Sequence, residues 1–136
     1  MNPQDVDFKV PTIKVEFDGR IFEEVLLDGG SGVNILPEIV YLSMAVQKLE
    51  PAPFQVKMAD QRRLQPLGIL KDQRITISGL HFIVNFVVLR MQAKEISYPM
   101  LLGRPWFKTA KVRQDWGENI VMIRQGRKKI QLPMVK

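Results

Sequence analysis

The stretch Val25-Leu26-Leu27-Asp28-Gly29-Gly30-Ser31-Gly32-Val33-Asn34-Ile35-Leu36 decides how this chain is read. An apolar strand runs into a carboxylate, then into a glycine-rich turn, then into a second apolar run. Asp28 therefore stands at the end of a buried strand, on a backbone free to bend sharply and to approach a ligand closely. A carboxylate in such apolar surroundings is costly unless something uses it.

Upstream of that stretch, Val10 to Phe17 alternates apolar and polar residues and reads as a strand. Asp18-Gly19 is a hairpin signal, and Ile21 to Leu27 is the return strand that delivers Asp28. Downstream, Pro37 opens a helix whose apolar positions, Ile39, Val40, Leu42, Met44 and Leu49, continue to about Glu50. Pro51 and Pro53 stop it there. Phe54 to Met58 and Leu64 to Leu70 form two strands around the charged turn Asp60-Gln61-Arg62-Arg63. Arg74 to Ser78 is a further strand, Ser78-Gly79 turns, and His81 to Leu89 is a long strand whose Val87-Val88-Leu89 is expected to be buried on both faces. Gln92 to Pro99 is a loop. Met100 to Leu102 is a short strand, Gly103 follows, and a helix starts at Pro105. Val112 to Trp116 and Ile120 to Arg124 make a hairpin across Gly117-Glu118-Asn119, and Lys129 to Leu132 is the last strand. The expected class is mainly β, with one or two short helices.

The chain has 136 residues, of which 46% are hydrophobic, which suits one globular domain with a core of its own. Residues 10–132 form that domain, 1–9 an N-terminal extension and 133–136 a tail. No run approaches the roughly 20 apolar residues of a membrane span, and Met1-Asn2-Pro3-Gln4-Asp5 lacks the features of a signal peptide. Cysteine is absent, which removes disulfides, thiolate nucleophiles and cysteine metal sites, and suits a reducing compartment. The net charge of +6 raises the question of nucleic acid. Only Arg124 to Lys129 and the smaller Arg62-Arg63 are clustered, and neither alternates with aromatics, so the sequence favours a solvated basic face. His81 is the only histidine, which argues against a catalytic zinc and leaves Ser31 without an activating base. No Gly-Lys-Ser/Thr follows the glycines, so they do not form a phosphate-binding loop. Trp106 and Trp116 are read as core or interface aromatics.

Three segments, in this order and spacing, resemble the retropepsin-type aspartic proteases of retroviruses and LTR retrotransposons, most closely the protease region of plant retroelement polyproteins. Leu26-Leu27-Asp28-Gly29-Gly30-Ser31 stands in place of the family's apolar-apolar-Asp-(Ser/Thr)-Gly-(Ala/Ser). Lys57-Met58-Ala59-Asp60 through Pro66-Leu67-Gly68-Ile69-Leu70 stands where the family has its flap hairpin. Met100-Leu101-Leu102-Gly103-Arg104 is similar to the turn before the family's C-terminal helix.

The resemblance implies a retropepsin-like closed β-barrel and an aspartic endopeptidase that needs no metal and no cofactor. Peptide hydrolysis by this route uses two carboxylates sharing one proton, since close like charges cannot both ionise. One takes a proton from the attacking water and the other donates to the carbonyl oxygen. This chain offers one such aspartate, so the resemblance implies a homodimer in which Asp28 of each subunit meets at a two-fold axis. Gly30 supplies an N–H to the carboxylate, and Ser31 a hydroxyl for the pair's outer oxygens. The flap is Met58, Ala59, Asp60, Gln61, Arg62 and Arg63, closing on an extended peptide. Gly103 and Arg104 form the structural brace, and Arg104 needs a partner other than the acid usual in the family, because Gly32 or Val33 stands in that place. Val33, Ile35 and Leu89 are candidates for pocket walls. The expected substrate is the retroelement polyprotein that contains the domain, and the expected setting is cytoplasmic, virus-like particles included. The main departure is Gly29, which lacks the hydroxyl that ties the two catalytic loops together, at about 1 kcal/mol for each lost hydrogen bond. It motivates an alternative, a catalytically weak or inactive dimer serving as a peptide-binding or assembly module.

Overall fold

Two tight turns set up the strands on either side of the core. Asp18-Gly19 (φ 52° and 70°) joins β1, Thr12–Phe17, to β2, Arg20–Leu27, and Ser78-Gly79 (φ 46° and 84°) joins β6, Gly68–Ile77, to β7, Leu80–Leu89. Both residues of each turn lie in the left-handed region, which matches the twist of paired strands. The computed structural model describes residues 11–45, 47–58, 60–92 and 98–134. The expected extension 1–9, Val10 and part of the expected loop Gln92 to Pro99 lie outside the described residues.

The remaining elements are β3, Asn34–Pro37, α1, Glu38–Leu42, β4, Val56–Lys57, β5, Arg63–Leu64, β8, Leu101–Leu102, α2, Arg104–Ala110, β9, Arg113–Asp115, β10, Ile120–Gln125, and β11, Lys128–Pro133. Six strands close a barrel in the order β1-β2-β8-β3-β7-β6, the closed β-barrel that the resemblance implies. A separate sheet runs β11-β10-β9, and β4 pairs with β5 as a small hairpin. Val87, Val88 and Leu89 are buried on both faces of β7, Val88 in the main core and Val87 and Leu89 in a second cluster with Ile35. The core gathers Val15, Ile75, Phe86 and Leu36 from the barrel, Trp106 and Ala110 from α2, and Val121 and Ile123 from β10. Trp106 is fully buried and meets Phe82 and Phe107 edge-on, with centroids 5.9 and 5.8 Å away. Trp116 is exposed. The packed chain reaches Met134, which is buried and donates its N–H to the Asn119 carbonyl at 2.8 Å.

The helix expected from Pro37 to Glu50 is much shorter. It covers Glu38–Leu42, and Pro37 belongs to β3. Ser43 turns its hydroxyl onto the Val40 carbonyl at 2.6 Å, a local bond that competes with helix continuation. The chain must then return to the barrel, where Glu50 and Ile69 exchange hydrogen bonds of 2.9 and 2.8 Å. Ile39 and Leu42, read as an apolar face, are exposed. The strands expected at Leu64 to Leu70 and Arg74 to Ser78 are reorganised too. Leu64 ends β5, and β6 runs unbroken from Gly68 to Ile77. Leu70 and Ile75 both face the core, which strict alternation forbids at odd spacing. A bulge between Leu70 and Gln73 changes the phase, with Asp72 at φ 56° and its N–H on the Asn85 side-chain oxygen at 2.8 Å.

Candidate active site

The stretch around Asp28 is pinned by strands from three parts of the chain. β2 pairs in parallel with β8, Leu26 beside Leu101 and Leu27 beside Leu102. β3 pairs in parallel with β7 and antiparallel with β8. The Asp28 N–H continues the β2–β8 ladder, donating to the Leu102 carbonyl at 3.0 Å. The chain then turns. Ser31 N–H donates to the Asp28 carbonyl at 3.1 Å, and Gly30 N–H donates to the Asp28 carboxylate Oδ1 at 2.9 Å. A Cβ at residue 30 would stand 3.2 Å from that same oxygen, so glycine is what lets the loop backbone hold the carboxylate this closely.

Ser31 spends its hydroxyl locally. Its Oγ donates to the Val33 carbonyl at 2.8 Å and accepts the Val33 N–H at 3.3 Å, rather than facing the carboxylate. Gly103 fits directly beneath this loop. A Cβ there would lie 2.3 Å from the Val33 carbonyl oxygen and 2.8 Å from that of Ser31. The buried Asn34 completes the support, accepting the Gly103 N–H at 2.8 Å and donating to the Asn85 carbonyl at 3.2 Å. Arg104 acts through its main chain, with its N–H on the Ser31 carbonyl at 2.8 Å. Its guanidinium is exposed above Gly32 and has no carboxylate partner among the described residues, so the brace expected at Arg104 runs through its main chain to the Ser31 carbonyl.

Phe107 touches the loop at Gly29. A Cβ at residue 29 would stand 3.0 Å from its ring. The aromatic thus fills the space beside the position where the resemblance leads one to expect a serine or threonine.

A cleft of about 650 Å³ opens between the Asp28 loop and the β4–β5 hairpin. Asp28, Val33, Ile35 and Leu101 line one wall, and Phe54, Val56, Met58 and Gln61 the other. Among the described residues of the lining, Asp28 is the only carboxylate and Lys57 the only cation. Leu89, read as a wall candidate, is fully buried beneath the cleft with Ile35 and Val87. The hairpin pairs Val56 with Leu64 and Lys57 with Arg63. At its tip, Met58 N–H donates to the Arg62 carbonyl at 2.7 Å and Gln61 N–H to the Met58 carbonyl at 3.0 Å. The Asp60 carboxylate clasps Arg62 through its N–H at 3.1 Å and its Nε at 2.6 Å. Those bonds, the backbone one first, hold the Asp60 carboxyl below its ordinary value. Ala59 lies outside the described residues.

No protein-family model matches the chain, and no curated protein matches it in sequence. Solved structures do. The retroviral protease-like domain of Ddi1 from Leishmania major superposes with a TM-score of 0.72 at 14% identity, over 96% of this chain and 97% of that one. The EIAV protease in complex with the inhibitor HBY-793 gives a TM-score of 0.58 at 18% identity, over 74% of this chain and 88% of that one. The fold is retropepsin-like. At these identities the likeness speaks for the architecture, and the chemistry rests on this chain's own residues.

In this retropepsin-like domain, the sequence motif placed Asp28, Gly30, Gly103 and Arg104, and the fold gathers them into one loop-and-turn unit. Of the expected flap residues, Met58 and Gln61 face that unit from across the cleft rather than joining it. Sequence reading missed Asn34, Phe107 and Lys57. Asn34 had a signal, a lone amide inside the apolar run Val33-Asn34-Ile35-Leu36, which asks for buried hydrogen-bond partners. Phe107 and Lys57 had none, since what each faces depends on strands far away in sequence.

Proposed function

We propose that the chain is an aspartic endopeptidase that works as a homodimer. The observation that carries this is the setting of Asp28: one carboxylate, oriented by the Gly30 N–H at 2.9 Å, in a peptide-sized cleft lined by no second acid among the described residues. A second copy supplies the second carboxylate. In that dimer the Asp28 pair shares a proton, activates a water for attack on the scissile carbonyl, and returns the proton to the leaving amine. The β4–β5 hairpin closes over the extended substrate, excluding water and offering backbone partners. The substrate we favour is the retroelement polyprotein carrying the domain, on the strength of the three motifs, and the setting that follows is intracellular.

The test is cleavage of an extended precursor, wild type beside Asp28→Asn, from about pH 4 to pH 8, with pepstatin as a control. The expected result is cleavage by wild type alone, steeper than linear in protein concentration and highest in mild acid, because loss of the shared proton at higher pH removes the acid partner. A rate that climbs steadily above neutral pH would overturn the dyad. Peptide affinity without turnover, unchanged by Asp28→Asn, would favour the binding-module alternative.

A further inference from the structure

Four cations scattered through the sequence meet on one face of the C-terminal sheet. Val121 and Ile123 of β10 point into the core, so Met122 and Arg124 point away from it. The strand register pairs Arg113 with Met122 and Met122 with Gln131, and in the next row pairs Arg124 with Lys129. Lys111 stands two residues before Arg113 and prolongs that second row. A groove of about 540 Å³ lies over these side chains, and no carboxylate lines it. Lys111, Arg113 and Lys129 form no ion pair among the described residues, while Arg124 gives its Nε to the Gly126 carbonyl at 3.2 Å.

The arrangement works against the sheet's own stability. Like charges directly opposite on paired strands, as Arg124 and Lys129 are, repel. Lys111 occupies the left-handed position that ends α2, at φ 50° and ψ 50°, where glycine is favoured. Positive charge is therefore held where local structure favours something else.

We propose that this face binds the phosphate backbone of a nucleic acid without reading its sequence. Guanidinium forks and ammonium groups match phosphate oxygens. No aromatic lines the groove, so bases have nothing to stack on, and binding rests on charge. A protein partner would need apolar anchors, and Met122 is the one exposed apolar side chain in the groove. Strand addition at β11 is opposed by its two lysines and Pro133 on the open edge. A second copy does not fit either, because a two-fold interface would set these cations against themselves. The inference stands independently of catalysis.

The experiment is fluorescence anisotropy with labelled homouridine and homothymidine strands of about 20 nucleotides, longer than a typical single-strand site. Four phosphate contacts predict a log–log salt slope between about −2 and −3, so a fourfold rise in salt weakens binding about 15- to 60-fold. Lys111→Gly and Arg124→Gln are each expected to weaken binding several-fold and flatten the slope by about 0.7. Both should fold with an unchanged or higher unfolding midpoint, since each relieves an unfavourable placement. Lys14→Gln, on β1, should leave affinity unchanged. Absent binding at low salt, salt-insensitive binding, or equal loss with Lys14→Gln would overturn the proposal. Displacement by polyglutamate of the same length at equal affinity would overturn it in favour of an acidic polypeptide.

Discussion

Gly29 and Phe107 form a reciprocal pair. The ring lies where a side chain at residue 29 would begin, 3.0 Å from its Cβ, and it rests edge-on against the buried Trp106. Restoring a hydroxyl by Gly29→Ser therefore crowds the ring before it can gain a hydrogen bond. The expected loss is about 1 kcal/mol, and Phe107→Leu in the same chain should recover at least half of it. A double-mutant cycle in urea would show a coupling above about 0.5 kcal/mol, and simple additivity would refute the pairing. Gly103 leaves even less room. Its Cβ would meet the Val33 carbonyl oxygen at 2.3 Å, a main-chain atom that cannot swing aside, so Gly103→Ala should cost about 3 kcal/mol in thermal or chemical unfolding. Asn34→Leu would strand the Gly103 N–H and the Asn85 carbonyl in the core, and a loss of about 2–4 kcal/mol is expected from two orphaned groups.

The β4–β5 hairpin, the flap of the proposed enzyme, is a small element held by few bonds. Asp60 is held below its ordinary 3.8 by Arg62. A lowered carboxyl stabilises the clasped tip fully above that ordinary value, and the benefit fades as pH falls through the lowered one. The tip should thus remain clasped at about pH 5, and Asp60→Asn should exchange the Gln61 and Arg62 amide protons faster there. The two proteins should converge at pH values below the lowered carboxyl range, and a difference that persists would refute the clasp. Elements of this kind show what was legible in the sequence. Asp18-Gly19 and Ser78-Gly79 announced their turns because a turn is decided by the residues within it. The α1 helix was over-read because Ile39, Leu42 and Met44 carry helical spacing while the return to Ile69 is a demand from elsewhere. The long β6 strand was cut in two because its bulge breaks the alternation that strand reading depends on. The cluster from Arg124 to Lys129 was visible in the sequence, but its union with Lys111 and Arg113 was not, since they join it only through pairing across the sheet.

At the scale of the molecule, the motif around Asp28 was visible, and its support was not. The loop is built by parallel pairings between β2 and β8 and between β3 and β7, which no local pattern predicts. Under the proposed homodimer, the one carboxylate among the described residues of the cleft makes activity a property of concentration. Specific activity should rise on concentrating the protein and reach a plateau, whereas a flat profile down to nanomolar levels would show a competent monomer or a very tight dimer. The same topology also imposes an order in time. Gly103 follows Asn34 by 69 residues, and until it arrives neither that amide nor the loop beside Asp28 has its support. At ribosomal speeds of roughly 5–20 residues per second, that interval is on the order of ten seconds. A nascent chain therefore carries Asp28 outside the tunnel well before it carries the assembled loop. Chains stalled before Leu101 should leave the Asp28 loop open to probing proteases, and chains released after α2 should protect it. Synthesis itself would keep the Asp28 loop unassembled until most of the domain has been made.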